Sequence, residues 1–166
     1  MKAVYHQIIS LVKRAQELAS SIGIANILQP GLVKEMVMAD ILGHQLIFSK
    51  RDADACDVEN PNVKYEYLSC FEGGSGQLDR MFKAPLESRE QSLQRIRRNS
   101  KIYLAVFYKN APLKAKVIYE IEPIVLENET VRQLERSRNI ISHVGFSENW
   151  AKQNGKVVYL DEVKKI

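Results

Sequence analysis

No run of apolar residues in this chain reaches the roughly 18 that a membrane-spanning helix needs, so no membrane partner is expected. The N-terminus has neither the apolar core nor the small-residue cleavage site of a signal peptide, which makes the cytoplasm the expected location. Cysteine is scarce: Cys56 and Cys70 do not form a metal-ligand spacing, and two such residues read as reduced thiols, not as a disulfide framework or a zinc site. With five prolines, eight glycines, no internal repeat and no linker-like stretch, the composition excludes a disordered chain. The 166 residues predict one domain over 1–166, large enough to bury about 68–70% of the extended surface.

Charge of one sign is not in large excess. The net +4 comes from 24 basic against 20 acidic residues, so the distribution is more telling than the total. RIRRNSK at 95–101 carries four positive charges and no acid, and RSR at 136–138 adds two. The segment 52–59 holds four acids.

Apolar residues at Ile8, Leu11, Val12, Ala15, Leu18 and Ala19 recur at three and four, which predicts a helix with one apolar face, ended near Gly23. A short helical piece is expected around Ile24–Leu28 before Pro30, then a second long helix over Leu32–Leu42 with Gly43 as its stop. Leu46-Ile47-Phe48 reads as a short strand. FEGGSGQLDRMFKAPLE at 71–87, with three glycines and a proline, predicts a long loop or a partly helical excursion. Further on come a polar, basic helix over Ser88–Arg98, a central strand over 102–108 and a strand paired to it over 113–123. A helix over Val125–Arg136 and a strand from KVVYLDEV complete the series. The order predicts an α/β domain around a mixed β-sheet flanked by helices.

Between the second helix and this series lies FSKRDADACDVENPNVKYEYLSCF, residues 48–71. Asp52, Asp54, Asp57 and Glu59 precede a Pro/Asn turn, and the return limb alternates like a strand. Lys64, Glu66 and Leu68 then share one face while Tyr65 and Tyr67 share the other. Across the turn Asp54 is placed to approach Glu66, and two carboxylates that meet can share a divalent ion, which for Mg²⁺ takes oxygen ligands at about 2.1 Å. An acidic loop beside a solvated strand would give the same string.

An acid, then a glutamate within a strand, preceded by a helix and followed by a basic helix and a buried strand, resembles the PD-(D/E)XK nucleases, and among them the PvuII-like type II restriction endonucleases. The likeness is carried, in order and spacing, by QELASSIGIANILQ at 16–29, GLVKEMV in the second helix, DADACD through YEYLS at 52–69 and KIYLAVFYKNAPLKAKVIYEIEP at 101–123. It implies a restriction-endonuclease-like core that hydrolyses phosphodiester bonds at a specific site in double-stranded DNA with Mg²⁺, leaving 5′-phosphate and 3′-hydroxyl ends. By position Asp54 and Glu66 match the metal-ligating carboxylates and the backbone carbonyl of Tyr67 a further metal oxygen; Asp57 is not assigned to metal. The family's lysine, two residues after the glutamate, is here Leu68, which can neither donate a hydrogen bond nor carry charge. Lys64, on the same face but about 7 Å along the strand on the other side of Glu66, is the candidate catalytic substitute, and Lys50 and Arg51 are others.

Arg95, Arg97, Arg98 and Lys101 are candidate DNA-phosphate contacts, with a solvated helix face as the alternative. Asn139 and His143 are candidate readers of base edges; His6 and His44 have no constellation around them. A small protein reading a short duplex site usually does so as a two-fold dimer, so a homodimer is expected. The resemblance assigns residues 1–30 to the subunit contact. Three competing readings are a catalytically silent DNA-binding relative, favoured by Leu68, a junction-resolving or repair nuclease of the same fold, and a structural or protein-interaction domain.

Overall fold

The computed structural model describes residues 2–48 and 52–162. Two compact units divide the chain, Met1–Val33 and Lys34–Ile166. In the first, α1 (Lys2–Ser21) ends where Gly23, at φ +88°, turns the chain so that the Ile24 N–H reaches the Ala19 carbonyl at 2.9 Å. The short helix expected around Ile24–Leu28 is replaced by turns. Asn26 takes the Leu28 N–H on its own side chain at 2.9 Å, and Gln16 accepts the Ile27 N–H at 2.9 Å, so side chains supply the partners that a helix would have supplied from its backbone.

The second unit begins in the first turn of α2 (Leu32–Leu42), which Gly43 ends in the same left-handed manner. Eleven further elements follow: β1 (Gln45–Leu46), β2 (Ala55–Cys56), β3 (Lys64–Phe71), β4 (Ser75–Phe82), α3 (Leu86–Arg97), β5 (Lys101–Phe107), β6 (Ala115–Ile121), α4 (Pro123–Arg136), β7 (Ile141–Ser147), α5 (Glu148–Asn154) and β8 (Lys156–Leu160). Among the described residues the main sheet has six strands in the order β1-β2-β3-β5-β6-β8. Strands β3 and β5 run parallel and the other pairs antiparallel, so the sheet is mixed. Strand β5 is apolar almost throughout because both of its faces are covered. On one face Leu68, Leu104 and Ile121 pack with Leu93 and Ile96 of α3 and Leu126 of α4; on the other Met38 and Ala39 of α2 pack with Phe107 and Ile118. The fold is thus α/β, a mixed sheet flanked by helices. No helix among the described residues is long and apolar enough to cross a membrane.

The glycine-rich stretch 71–87 departs from expectation. It is neither loop nor helix over most of its length: β4 pairs with β7 in a separate two-stranded sheet that lies against β3. Glycine is needed for packing here, since a Cβ on Gly76 would stand 2.9 Å from the Cβ of Leu68 and 3.4 Å from Leu104 Cδ1. Beyond Leu78 the pairing slips at a bulge, where Arg80 sits at φ +52° and Met81 returns to full burial. Gly76→Ala is therefore expected to destabilise the protein by about 1–3 kcal/mol through overpacking, measured as a lowered denaturant midpoint with an unchanged slope; an unshifted midpoint would show that β4 is not pressed against Leu68.

Candidate functional site

Strand β2 is short, and what happens at its end creates the site. The Asp54 N–H bonds the Tyr65 carbonyl at 3.1 Å, continuing the ladder by one step. At the next step the backbone acceptor is replaced by a side chain: Asp54 Oδ2 accepts the Tyr67 N–H at 2.8 Å. In an extended strand a residue's N–H and C=O point to the same edge, so the Tyr67 carbonyl turns toward Asp54 as well. Asp57 is a turn former, its Oδ1 accepting the N–H groups of Glu59 and Asn60 at 2.9 and 2.8 Å.

Glu66 lies on β3 on the same face as Leu68, while Tyr65 and Tyr67 join the cluster on the opposite face, as the alternation predicts. Its side chain is 14% exposed, and Oε2 is fully buried without a hydrogen bond from the protein. Burial first, and then the charge of Asp54, push the Glu66 carboxyl up to about 8, against the pull of Arg98 and Arg95. Burial also raises Asp54, opposed by the Tyr67 N–H and the same two arginines. Glu35, in the first turn of α2, is a third member: burial and the Asp54 charge bring its carboxyl up to about 7. Sequence reading missed Glu35 because an acid near a helix start is ordinary; its only signal is its place in the turn that begins GLVKEMV.

Could these groups hold a cation? Among the described residues no set of three or more His, Cys, Asp or Glu side chains is close enough to form a metal cage. A cage is not what Mg²⁺ requires, since it is usually held by one or two carboxylates with several of its waters retained. The unbonded, buried Glu66 Oε2, the Asp54 carboxylate and the Tyr67 carbonyl edge fit that demand.

The basic residues separate into different roles. Arg98 Nη2 lies 3.7 Å from Glu66 Oε2 and donates to the Asp52 carbonyl at 2.8 Å. Arg95 donates to the Asp79 carbonyl at 3.0 Å and, with Arg80, lines a cleft of about 270 Å³ between β4 and α3. Arg97 turns away from the carboxylates: it forms a bidentate pair with Glu127 of α4 at 2.8 and 2.6 Å and an ion pair with Glu90, tying α3 to α4. Lys101 is paired with Glu122 and lies 3.6 Å from Glu120. Lys64 has its ammonium on Asp52. Asn139 is exposed between α4 and β7, and His143, on β7, bonds Asp79 at 2.7 Å with both side chains open to solvent. His44, which had no apparent constellation, stacks on Tyr65 at 4.1 Å and bonds the Tyr67 hydroxyl at 2.8 Å. Lys50 and Arg51 lie outside the described residues.

No protein-family model matches the chain, and no curated protein matches it.

The raised carboxyls have a consequence for stability. Each has a folded pKa above its unfolded value, so between about pH 4.5 and 8 the native state binds more protons than the unfolded state. Stability from this source is complete below that window and is lost as pH rises through it. Denaturant titrations of the metal-free protein should show a declining unfolding free energy from about pH 5 to 8.5, and Glu66→Gln should flatten the decline; an equally steep slope in that variant would mean Glu66 is not the titrating group.

Proposed function

We propose that the protein is a Mg²⁺-dependent deoxyribonuclease with a restriction-endonuclease-like core, cutting double-stranded DNA at a specific site to leave 5′-phosphate and 3′-hydroxyl ends. The observation that carries this reading is the meeting of Asp54 and Glu66, two half-buried carboxylates where β2 stops, with the basic end of α3 beside them. A pair of like charges withdrawn from water is costly unless something neutralises it. Protonation removes the charge, whereas the arginines and a divalent ion both leave the carboxylates ionised; of these, only a divalent ion would also activate a water. Asp54, Glu66 and the Tyr67 carbonyl would hold such an ion, which would supply polarisation of the scissile phosphate and a bound water of lowered pKa.

The chain's own residues orient and bind. Asp54 is held by the Tyr67 N–H on Oδ2, which restricts the orientation of its carboxylate. Glu66 is fixed by the strand and contributes the oxygen that has no protein donor. Arg95 and Arg80 offer phosphate-binding charge along the cleft between β4 and α3, and the exposed β4–β7 ribbon, with His143 and nearby Asn139, supports the reading of a groove by side chains. Arg97 and Lys101 take part in phosphate binding only by giving up acidic partners. The apolar row of α1, with Ile8, Leu11 and Leu18 exposed, supports a two-fold homodimer contact through residues 1–30.

A second reading is favoured by one observation. Leu68 is 4% exposed in the core and Lys64, the lysine of β3, is paired with Asp52, so no lysine from β3 serves the carboxylates, as expected of a catalytically silent DNA-binding relative. The retained carboxylates argue the other way, because uncompensated negative charge opposes a polyanion.

Incubating the protein with a long duplex of mixed sequence and Mg²⁺ should give discrete fragments whose sequenced ends share one site; tight binding with no cutting in Mg²⁺ or Mn²⁺ would select the silent relative, and cutting only of branched DNA a junction-resolving nuclease. Glu66→Ala should abolish both cleavage and the heat of Mn²⁺ binding to the protein–DNA complex. Unchanged Mn²⁺ binding in that variant would remove Glu66 from the metal site.

A further inference from the structure

Leucine at position 68 leaves the carboxylate pair without a cation from its own strand, and Lys64 does not fill the gap, because its ammonium is committed to Asp52. Among the described residues, the cation paired with Glu66 comes from the end of α3. Arg98 is the residue that caps this helix, and its Nη2 stands 3.7 Å from Glu66 Oε2. That separation is too long for a hydrogen bond, so the contact is one of charge with charge. The guanidinium is anchored separately, by donation to the Asp52 carbonyl at 2.8 Å. Asp52 is itself held twice, by Lys64 and by the Ala53 N–H at 2.8 Å on Oδ1. A chain of contacts therefore runs from Lys64 through Asp52 to Arg98 and ends beside Glu66.

We propose that Arg98 performs the task of the absent lysine, contacting a non-bridging oxygen of the scissile phosphate and stabilising the charge that gathers there; this rests on the nuclease reading above. The neighbouring arginines are less suited. Arg97 is enclosed by Glu90 and Glu127, and Arg95 is directed to the Asp79 carbonyl and the Met81 sulfur. Arg98 cannot act as the base, because a guanidinium keeps its proton throughout. In the step it assists, a water oxygen bonds to phosphorus as the water's proton passes to solvent. The bond from phosphorus to the 3′ oxygen breaks, its electron pair leaves with that oxygen, and the 3′ oxygen takes a proton from solvent. Arg98 gains and loses nothing; it lowers the barrier by being in place before charge develops. Asp52 and Lys64 are positioning residues, since they act only through the guanidinium.

The test combines single-turnover cleavage with a binding measurement that involves no catalysis. Wild type, Arg98→Lys and Arg98→Met are compared at saturating protein on a long duplex of mixed sequence with Mg²⁺, so that rate differences lie in the chemical step and not in binding. Mn²⁺ is titrated calorimetrically into each protein without DNA. Arg98→Met should cut about 10²–10³-fold more slowly, with Arg98→Lys between it and wild type. Mn²⁺ should bind Arg98→Met more tightly than wild type, because a positive charge beside the carboxylates has been removed. Cutting by Arg98→Met at the wild-type rate overturns the assignment and leaves the nuclease reading standing. Slower cutting accompanied by weaker Mn²⁺ binding also overturns it, since Arg98 would then only hold the site in shape. A wild-type protein that cuts no duplex overturns the nuclease reading and the assignment with it.

Discussion

Two carboxyl groups largely withdrawn from water, Asp54 and Glu66, with Glu35 of α2 coupled to them by charge, set the constraint to which the neighbouring elements respond. The response begins in the backbone. If β2 ran further back along β3, the Tyr67 N–H would find a main-chain acceptor; instead the strand stops and Asp54 supplies that acceptor from its side chain. A donor that must be satisfied and a carboxylate that must be stabilised are thus matched in one bond. The same change ends the β2–β3 ladder beside Tyr67.

Helix α3 answers the remaining charge through its periodicity. Leu93 and Ile96, three apart, are buried against the sheet on the face that carries Glu66. Arg95 and Arg98, also three apart, lie on a neighbouring stripe of the helix, and both act electrostatically on Asp54 and Glu66. Arg97 faces α4, where the little-exposed Glu127 receives it bidentately. What reads in sequence as one basic patch is therefore two devices, a clamp between helices and a counter-charge for the carboxylates. The end of a helix is also a favourable place for a cation, since the unpaired carbonyls there carry partial negative charge.

The elements most readable from sequence are those whose local pattern and tertiary environment agree. Helix α2 falls over Leu32–Leu42 as expected, β5 and β6 form the expected pair, running antiparallel, and the alternation of β3 assigns Glu66 and the tyrosines to opposite faces. Strand β4 was not legible, because Gly73, Gly74 and Gly76 look like loop residues until the closeness of Gly76 to Leu68 supplies a packing reason for glycine. At the site, the approach of Asp54 to Glu66 could be anticipated from the turn between them. Glu35 could not, since its partners are some twenty and thirty residues away and become neighbours only when α2 reaches the same edge. Nor could the occupation of Lys64 by Asp52, which depends on the path of the acidic segment and not on the face a strand residue takes.

Leu68 connects these observations. A lysine at this position would begin beneath β4, where even one additional carbon on Gly76 would crowd the existing Cβ, and its stem would have to leave a core that Leu68 now fills at 4% exposure. Burying an ammonium there would also cost desolvation that only a close carboxylate partner could offset. With β4 packed down in this way, leucine is the side chain the core can use, and positive charge has to reach Glu66 from outside the strand. The end of α3 meets that requirement without disturbing the core: Ile96 remains buried, the helix stops, and Arg98 turns from its cap to the Asp52 carbonyl and the edge of Glu66. The close β4 packing, the leucine in β3 and the arginine at the end of α3 thus form one linked arrangement, in which the core gains an apolar residue and the site keeps its cation.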